Sequence, residues 1–414
     1  MASRLYLCKK GEFEKIMDVT SLNQQIFRAY DIRGLVEKDL TIGTSRLIGS
    51  AYGTYLQNAY KVNRAIIARD NRPSSKPLCE ALMQGMCDTG VSLIDIGLAP
   101  SPLLYFAAAL WEIDGGAVVT ASHLPAEFNG YKLLGPGGLA LEPQEIQEVF
   151  HLADRRKFIY GKGTIQVNDI LSQYLETLAI RFSLPRKIRI IADPGNGVAS
   201  LTGPQALRKI GAEVITINGE LDGTFPVHIP NPQIPETMKA LADMVLQHNA
   251  DLGIAWDADG DRLGIIDERG IRHESDEILT LFAEDLLTRH PGAGIYVDVK
   301  ISKSTTEMIQ KYGGKPIMGQ SGHSLVKRRM ENDGLLLGGE GSGHIFFAED
   351  YYGFDDAVFG ACELAHIVAR DDRPLSQYFA KYPCYVTSPE YRLPCSDTEK
   401  FAISDAIREH FHTI

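Results

Sequence analysis

No stretch of the 414 residues is long and apolar enough to cross a bilayer, because the longest apolar run, Leu103 to Trp111, is about half the length a membrane helix needs. The N-terminus carries Lys9, Lys10, Glu12, Glu14 and Lys15 around only a short apolar patch, so no secretory leader is indicated. Cysteine is sparse. Cys8, Cys79, Cys87, Cys362, Cys384 and Cys395 form no CxxC pair and no regular framework, which reads as reduced thiols in a cytosolic protein and offers no metal ligands. Excess positive charge is missing too: the net charge of -11 and pI near 5.5 argue against a nucleic-acid or anionic-membrane partner. Local arginines and lysines are then expected to serve a site. At 414 residues the chain exceeds one ordinary core, and two to four domains are expected.

Most of the chemistry sits in Trp256-Asp257-Ala258-Asp259-Gly260-Asp261-Arg262. Three carboxylates at alternate positions cannot stay ionised together inside a fold without a cation, and oxygen-only ligands favour a hard ion such as Mg²⁺. Gly260 allows a turn tight enough for the three to converge. An EF-hand is excluded because Arg262 stands where that loop requires glycine, and because the flanks Ala250 to Ala255 and Leu263 to Ile266 read as strands, not helices. The plainer alternative is a solvated acidic turn. Arg262 beside the carboxylates points to a phosphate.

A strand, helix, strand unit occurs three times. It runs through Arg64 to Asp70, Lys76 to Asp88 and Val91 to Ile96; through Lys187 to Asp193, Pro204 to Lys209 and Ala212 to Ile217; and through Gly294 to Val299, Ser304 to Lys311 and Lys315 to Met318. The expected fold class is therefore α/β, with related domains built on mixed, largely parallel sheets whose ligands lie beyond the carboxyl ends of the strands.

Polar motifs fall at those ends. After the strand Gly115 to Val119 comes Thr120-Ala121-Ser122-His123-Leu124, with Lys132 ten residues beyond Ser122. Ser122 is a candidate nucleophile or phosphorylation site, or else a hydroxyl capping a turn. No GxSxG elbow surrounds it, which disfavours an α/β-hydrolase. Lys300 and His323 each follow a strand and are either site residues or, respectively, a solvated lysine and a satisfied loop histidine. In Gly338-Gly339-Glu340-Gly341-Ser342-Gly343-His344 the alternation places Glu340, Ser342 and His344 on one face if the backbone is extended, suited to pairs of sugar hydroxyls; a glycine-rich hairpin is the alternative. Near the start, Phe27-Arg28-Ala29-Tyr30-Asp31-Ile32-Arg33-Gly34 is either a charged turn or a ligand contact.

Together these four motifs, in this order and across nearly the whole chain, resemble the α-D-phosphohexomutase family, and within it the bacterial phosphomannomutase/phosphoglucomutase branch. The continuation Ile345-Phe346-Phe347 to Gly353-Phe354-Asp355-Asp356 resembles the same branch. The resemblance implies an isomerase that interconverts hexose 1-phosphate and hexose 6-phosphate, of mannose or glucose, through a phosphoserine at Ser122 and a bound glucose or mannose 1,6-bisphosphate. One Mg²⁺ per chain would be held by Ser122, Asp257, Asp259 and Asp261. His123, Lys132, Arg33, Arg262 and His323 would handle protons or phosphate, and Tyr30, Lys300, Glu340, Ser342 and His344 would contact the sugar. The implied domains are 1–167, bearing the phosphoserine; 168–270, with the metal loop; 271–383, with the sugar-specificity loop; and 384–414, the truncated start of a fourth, α+β domain at Tyr385-Val386-Thr387 and the helix-like Asp397 to His410. A cytoplasmic monomer is expected. Two departures stand out: Leu124 replaces the family's asparagine, and the Arg/Ser/Thr-rich phosphate-gripping loop of the fourth domain is absent from the sequence. They leave two alternatives, a catalytically weak hexose-phosphate-binding protein and a Mg²⁺-dependent sugar phosphatase.

Overall fold

The apolar runs bounded by turn residues become strands, and the runs with an apolar face become helices that cover them. In the computed structural model, which describes residues 22–386, 395 and 399–412, residues up to Tyr382 form one unit and Pro383–Ile414 a second. Cys8, the charged N-terminal residues, Thr387 and Asp397 lie outside the described residues.

The first unit holds three sheets. β1 (Ile32–Leu35), α1 (Ile42–Tyr55), β2 (Arg64–Arg69), α2 (Ser75–Asp88), β3 (Ser92–Leu98), α3 (Ser101–Leu110), β4 (Gly116–Val119), β5 (Phe128–Leu134), α4 (Pro143–Asp154) and β6 (Ile165–Val167) build a sheet of order β1-β5-β4-β2-β3-β6. After α5 (Leu171–Arg181), the elements β7 (Arg189–Asp193), α6 (Gly203–Lys209), β8 (Glu213–Thr216), α7 (Lys239–His248), β9 (Leu252–Trp256), β10 (Leu263–Asp267) and β11 (Arg272–His273) give the order β11-β10-β9-β7-β8. The third sheet follows α8 (Ser275–Arg289). It comprises β12 (Gly294–Asp298), α9 (Lys303–Lys311), β13 (Lys315–Gly319), α10 (His323–Asp333), β14 (Leu337–Gly339), β15 (Ile345–Phe347) and β16 (Phe354–Asp355), in the order β13-β12-β14-β15-β16, with α11 (Ala357–Ala369) and α12 (Leu375–Phe379) after it. In the second unit α13 (Lys400–His412) is helical.

All three sheets are mixed, as expected, and they share one plan. Parallel strands joined by helices form one side, and an antiparallel ribbon extends the other: β4-β5-β1, β9-β10-β11 and β14-β15-β16. The hairpin between the last parallel strand and its antiparallel neighbour carries the polar motif in each case. Phe27 to Gly34 is thus more than a turn: Ile32 to Leu35 pairs with Tyr131 to Phe128, and Ile26, Phe27 and Ile32 are buried.

One apolar interior runs through the first unit, from Leu103, Leu104 and Phe106 on α3 through Trp256 and Ile265 to Phe347 and Phe359. Tyr105 and Phe354 meet edge to face with ring centroids 5.6 Å apart, and the Trp256 indole donates to the Ala357 carbonyl at 3.0 Å. Among the described cysteines Cys79, Cys87 and Cys362 are buried and all are free. No helix among the described residues is long and apolar enough to cross a membrane.

Glu363 on α11 offers a test of the packing around α8. Burial and the nearby Asp285 push its carboxyl up to about 7, and Arg289 Nη2, 3.8 Å away, offsets this only in part. The folded state therefore holds the proton more tightly than the unfolded chain, whose glutamate titrates near about 4.3. The stability present at pH 4 is lost as pH rises through about 7. Glu363→Gln is expected to match the parent in chemical denaturation at pH 4.5 and to exceed it by about 3 kcal/mol at pH 8.

Candidate active site

Ser122 sits just past β4 with φ of +51°, a conformation that costs a non-glycine residue roughly 1–3 kcal/mol. Arg72 holds it there. This arginine is 2% exposed and sends Nη2 to the carbonyls of Ser122 (2.6 Å) and Leu124 (2.7 Å), and Nη1 to those of Pro125 (2.6 Å) and Phe128 (3.3 Å). Its Nε pairs with buried Asp70 at 2.9 Å, and the guanidinium lies 5.0 Å from the centre of the Phe225 ring. Hydrogen bonds from a charged donor contribute about 1.5–3 kcal/mol each, so four of them outweigh the backbone strain. The contribution of Leu124 to this clasp is its backbone carbonyl, which any residue supplies.

The aspartate loop comes to meet the serine from the hairpin between β9 and β10. Gly260, with φ of +74°, closes the turn, and its α-hydrogens face Pro100, whose Cβ would lie 3.0 Å from any added Cβ. Asp257, Asp259 and Asp261 are fully buried, with one oxygen of each lying within 4.8 Å of the others. The Ser122 hydroxyl donates to Asp257 Oδ2 at 2.8 Å and lies 3.1 Å from His123 Nδ1. Asp257 Oδ1 accepts from the backbone N–H groups of Asp261 and Arg262. Lys132 on β5 places Nζ 2.6 Å from Asp259 Oδ2 and against Asp261 Oδ2, and the Ser101 hydroxyl at the start of α3 donates to Asp259 Oδ2 at 2.6 Å.

The electrostatics are those of a site short of positive charge. Burial together with Asp261 and Asp259 pushes the Asp257 carboxyl well above the usual range. Burial opposes charge on Lys132, but Asp259 and Asp261 override it and hold the ammonium well above its ordinary value. Asp259 Oδ1 and Asp261 Oδ1 are buried without a hydrogen-bond partner. Three converging carboxylates with spare oxygens fit a hard divalent cation, with oxygen as the only donor type. His123 stays neutral: burial, then Arg262 and Arg33, press its imidazole down to about 2.

A second group comes from the third sheet. Tyr30 donates to the Ser321 carbonyl at 3.0 Å and its ring covers Gly322, where any Cβ would meet it at 2.5 Å. His323 begins α10, and its ring centroid is 6.3 Å from Tyr30 and 6.1 Å from His344. Glu340 accepts from the Gly322 N–H, and the Ser342 hydroxyl reaches Glu340 Oε2 at 3.2 Å. Residues 340–344 are not extended. The backbone reverses between β14 and β15, with Gly343 N bonded to Glu340 O and Glu340 N to His344 O, so the glycine-rich hairpin is the correct reading and a single extended face is not. Glycines permit this because Gly343 takes φ of +96°. His344 is turned toward Arg262, whose Nε donates to its Nε2 at 3.2 Å.

Contacts thus join Ser122, His123, Lys132, Asp257, Asp259, Asp261, Arg262 and His344, while Tyr30, His323, Glu340 and Ser342 adjoin them. Arg33 is paired with Asp31 and acts on His123 only through its field. Lys300 is exposed beside Gly341 and makes no side-chain bond to the group. Sequence reasoning passed over Arg72 and Ser101. Each follows the carboxyl end of a parallel strand, β2 or β3, and that position was the available signal.

Comparison with known proteins gives a consistent result. Three family models match in chain order: phosphoglucomutase/phosphomannomutase alpha/beta/alpha domain I at residues 24–159, domain II at 171–270 and domain III at 274–385. A phosphomannomutase/phosphoglucomutase of Pseudomonas aeruginosa is 38% identical over 389 residues, covering 94% of this chain and 83% of the relative. A phosphoglucomutase of Neisseria gonorrhoeae is 35% identical, covering 91% of this chain and 81% of its own length. Among solved structures, a phosphoglucomutase/phosphomannomutase family protein of Burkholderia thailandensis superposes with a TM-score of 0.86 at 36% identity, covering 89% of this chain and 81% of that one.

Proposed function

The chain belongs to the phosphoglucomutase/phosphomannomutase family and is a hexose-phosphate mutase, and on that premise we propose that Ser122 carries the phosphoryl group between the two ends of the sugar. The observation that carries this is the Ser122 hydroxyl 2.8 Å from Asp257, against the two other buried aspartates. In the forward half-reaction the phosphoserine Oγ–P bond breaks as a bond forms from phosphorus to the free hydroxyl of a hexose monophosphate. The proton leaving that hydroxyl ends on Ser122 Oγ, with neutral His123 placed to relay it. Glucose or mannose 1,6-bisphosphate is the product of this step; it turns over and returns its other phosphoryl group to Ser122.

Negative charge gathers at the moving phosphoryl group, so positioning and electrostatics dominate the barrier. Asp257, Asp259 and Asp261, with the phosphoryl group on Ser122, would hold one Mg²⁺, which supplies charge neutralisation there. Lys132 beside Asp259 and Asp261 and Arg262 beside Asp257 add fixed positive charge, and Arg33 and His323 are the further phosphate-facing candidates. Tyr30, Lys300, Glu340, Ser342 and His344 receive the sugar. The partition into 1–167, 168–270, 271–383 and 384–414 is supported by the first and third sheets falling within 1–167 and 271–383, while the second lies in 168–270 except for its edge strand β11. A cytoplasmic monomer acting on hexose phosphates completes the reading. The names of the relatives favour a mutase over the weak binder and over the phosphatase.

A coupled assay converting glucose 1-phosphate and mannose 1-phosphate to their 6-phosphates, with a trace of bisphosphate and parallel detection of inorganic phosphate, tests this. Isomer exchange without phosphate release is expected. Chelation with EDTA should lower the rate at least about 100-fold, and Mg²⁺ should restore it. Release of phosphate in step with substrate loss would replace the mutase by a phosphatase.

A further inference from the structure

The adjacent residues Asp355 and Asp356 have opposite surroundings. Asp356 is fully satisfied: it caps α11 through the N–H groups of Val358 (3.0 Å) and Phe359 (2.9 Å) and accepts from the hydroxyls of Tyr174 (2.9 Å) and Tyr351 (2.8 Å). These are the bonds of a structural carboxylate. Asp355, with no exposed surface, has no backbone or hydroxyl donor on either oxygen. Oδ1 faces the Lys327 ammonium at 2.7 Å, and Oδ2 faces His344 Nδ1 at 2.8 Å. A buried carboxylate kept without the usual backbone donors contributes little to stability, and an apolar replacement for the whole pair is often tolerated. Its contacts lead toward the reacting serine.

The chain of contacts continues from His344 Nε2, which accepts from Arg262 Nε at 3.2 Å, and the same Nε lies 3.8 Å from Asp257 Oδ2, the acceptor of the Ser122 hydroxyl. If Nε2 accepts, the ring hydrogen must reside on Nδ1, which faces Asp355 Oδ2 at hydrogen-bond distance and Asp261 Oδ1 only at 3.7 Å, so Asp355 is the nearer acceptor. The N–H is not squarely aligned on the carboxylate, a common state for catalytic hydrogen bonds before substrate tightens them. Lys327 also lies 3.6 Å from the centre of the Tyr105 ring, so its charge is shared between an aromatic face and one carboxylate oxygen.

We propose that Asp355, balanced by the Lys327 ammonium, is a positioning residue that fixes the ring orientation and tautomer of His344 and through it aims Arg262 at the phosphoryl group. The proposal rests on the reading of Ser122, Arg262 and His344 given above. Asp355 touches neither substrate nor the reacting atoms; it acts at one remove, as carboxylates behind functional imidazoles do.

A mutant cycle tests this against a merely structural role. Parent, Asp355→Asn, His344→Ala and the double variant are assayed for kcat and KM with glucose 1-phosphate. Asp355→Asn should lower kcat about 10- to 100-fold with little change in KM. In the His344→Ala background the same substitution should cost less than about twofold, because residues acting as one unit are not additive. An equal cost in both backgrounds, or a parent-like kcat for Asp355→Asn, would overturn the proposal while leaving the mutase reading intact. A His344→Ala variant with parent kcat and KM would instead remove His344 from the site and take the proposal with it. Should Asp355→Asn alone unfold because Lys327 is left unpaired, the neutral pair Lys327→Met with Asp355→Asn replaces it throughout the cycle.

Discussion

Ser122→Ala should lower the interconversion of glucose 1-phosphate and glucose 6-phosphate by about 10⁴- to 10⁶-fold while leaving the fold in place. The clasp on this loop explains why the two effects separate. Arg72 bonds the carbonyls of residues 122, 124, 125 and 128, none of which depends on the serine side chain. Alanine at φ of +51° meets the same steric cost as serine, so the strain term cancels. What is lost is one hydrogen bond to Asp257, whose other oxygen keeps two backbone donors, and a stability change of about 1 kcal/mol follows. Steady-state assay and a thermal scan suffice as measurements. A variant that kept a hundredth of parental activity would remove Ser122 from the reaction.

Arg72→Lys should be the most damaging conservative change outside the reacting groups, lowering kcat about 10²- to 10³-fold and stability by about 3 kcal/mol. Lysine can pair with Asp70, but a point charge with three donors cannot reach four carbonyls spread over residues 122–128 as a planar fork does. The serine loop would then relax from its left-handed backbone and carry Oγ away from Asp257. Intact mass of the variant should show a smaller phosphorylated fraction, and urea unfolding should show the loss of stability. Parental kcat with lowered stability would make the clasp a fold element only.

The contrast between these residues shows where sequence reading succeeds. The three aspartates, Gly260 and Arg262 lie within six residues and follow a buried strand, so their convergence is a local property that spacing reveals. Ser122 and Lys132 were legible for the same reason, one after a strand and the other on its hairpin partner. Arg72 was not, because its partners are backbone carbonyls some fifty positions away, which no residue type announces. Asp355 and Asp356 are chemically identical neighbours. Only the end of β16 and the start of α11 send one toward Lys327 and the other into a helix cap. The glycines at 338–343 fit an extended ligand-facing segment and a tight reversal equally well, and pairing of Gly338 with Phe346 decides for the reversal.

The shared interior of the three sheets bears on how the intermediate is handled. Trp256 is bonded into the start of α11, Tyr105 is wedged against Phe354, and Tyr174 of α5 is tied to Asp356, so the lobes bearing the serine, the aspartates and the hairpin are seamed together by side chains that would all have to part for one lobe to slide. On the proposed phosphoserine mechanism, this seam argues against reaching both ends of a hexose by swinging the donor serine. On the same proposal the sugar does the somersault, and the protein supplies a stationary frame in which either of its phosphates finds the same reception.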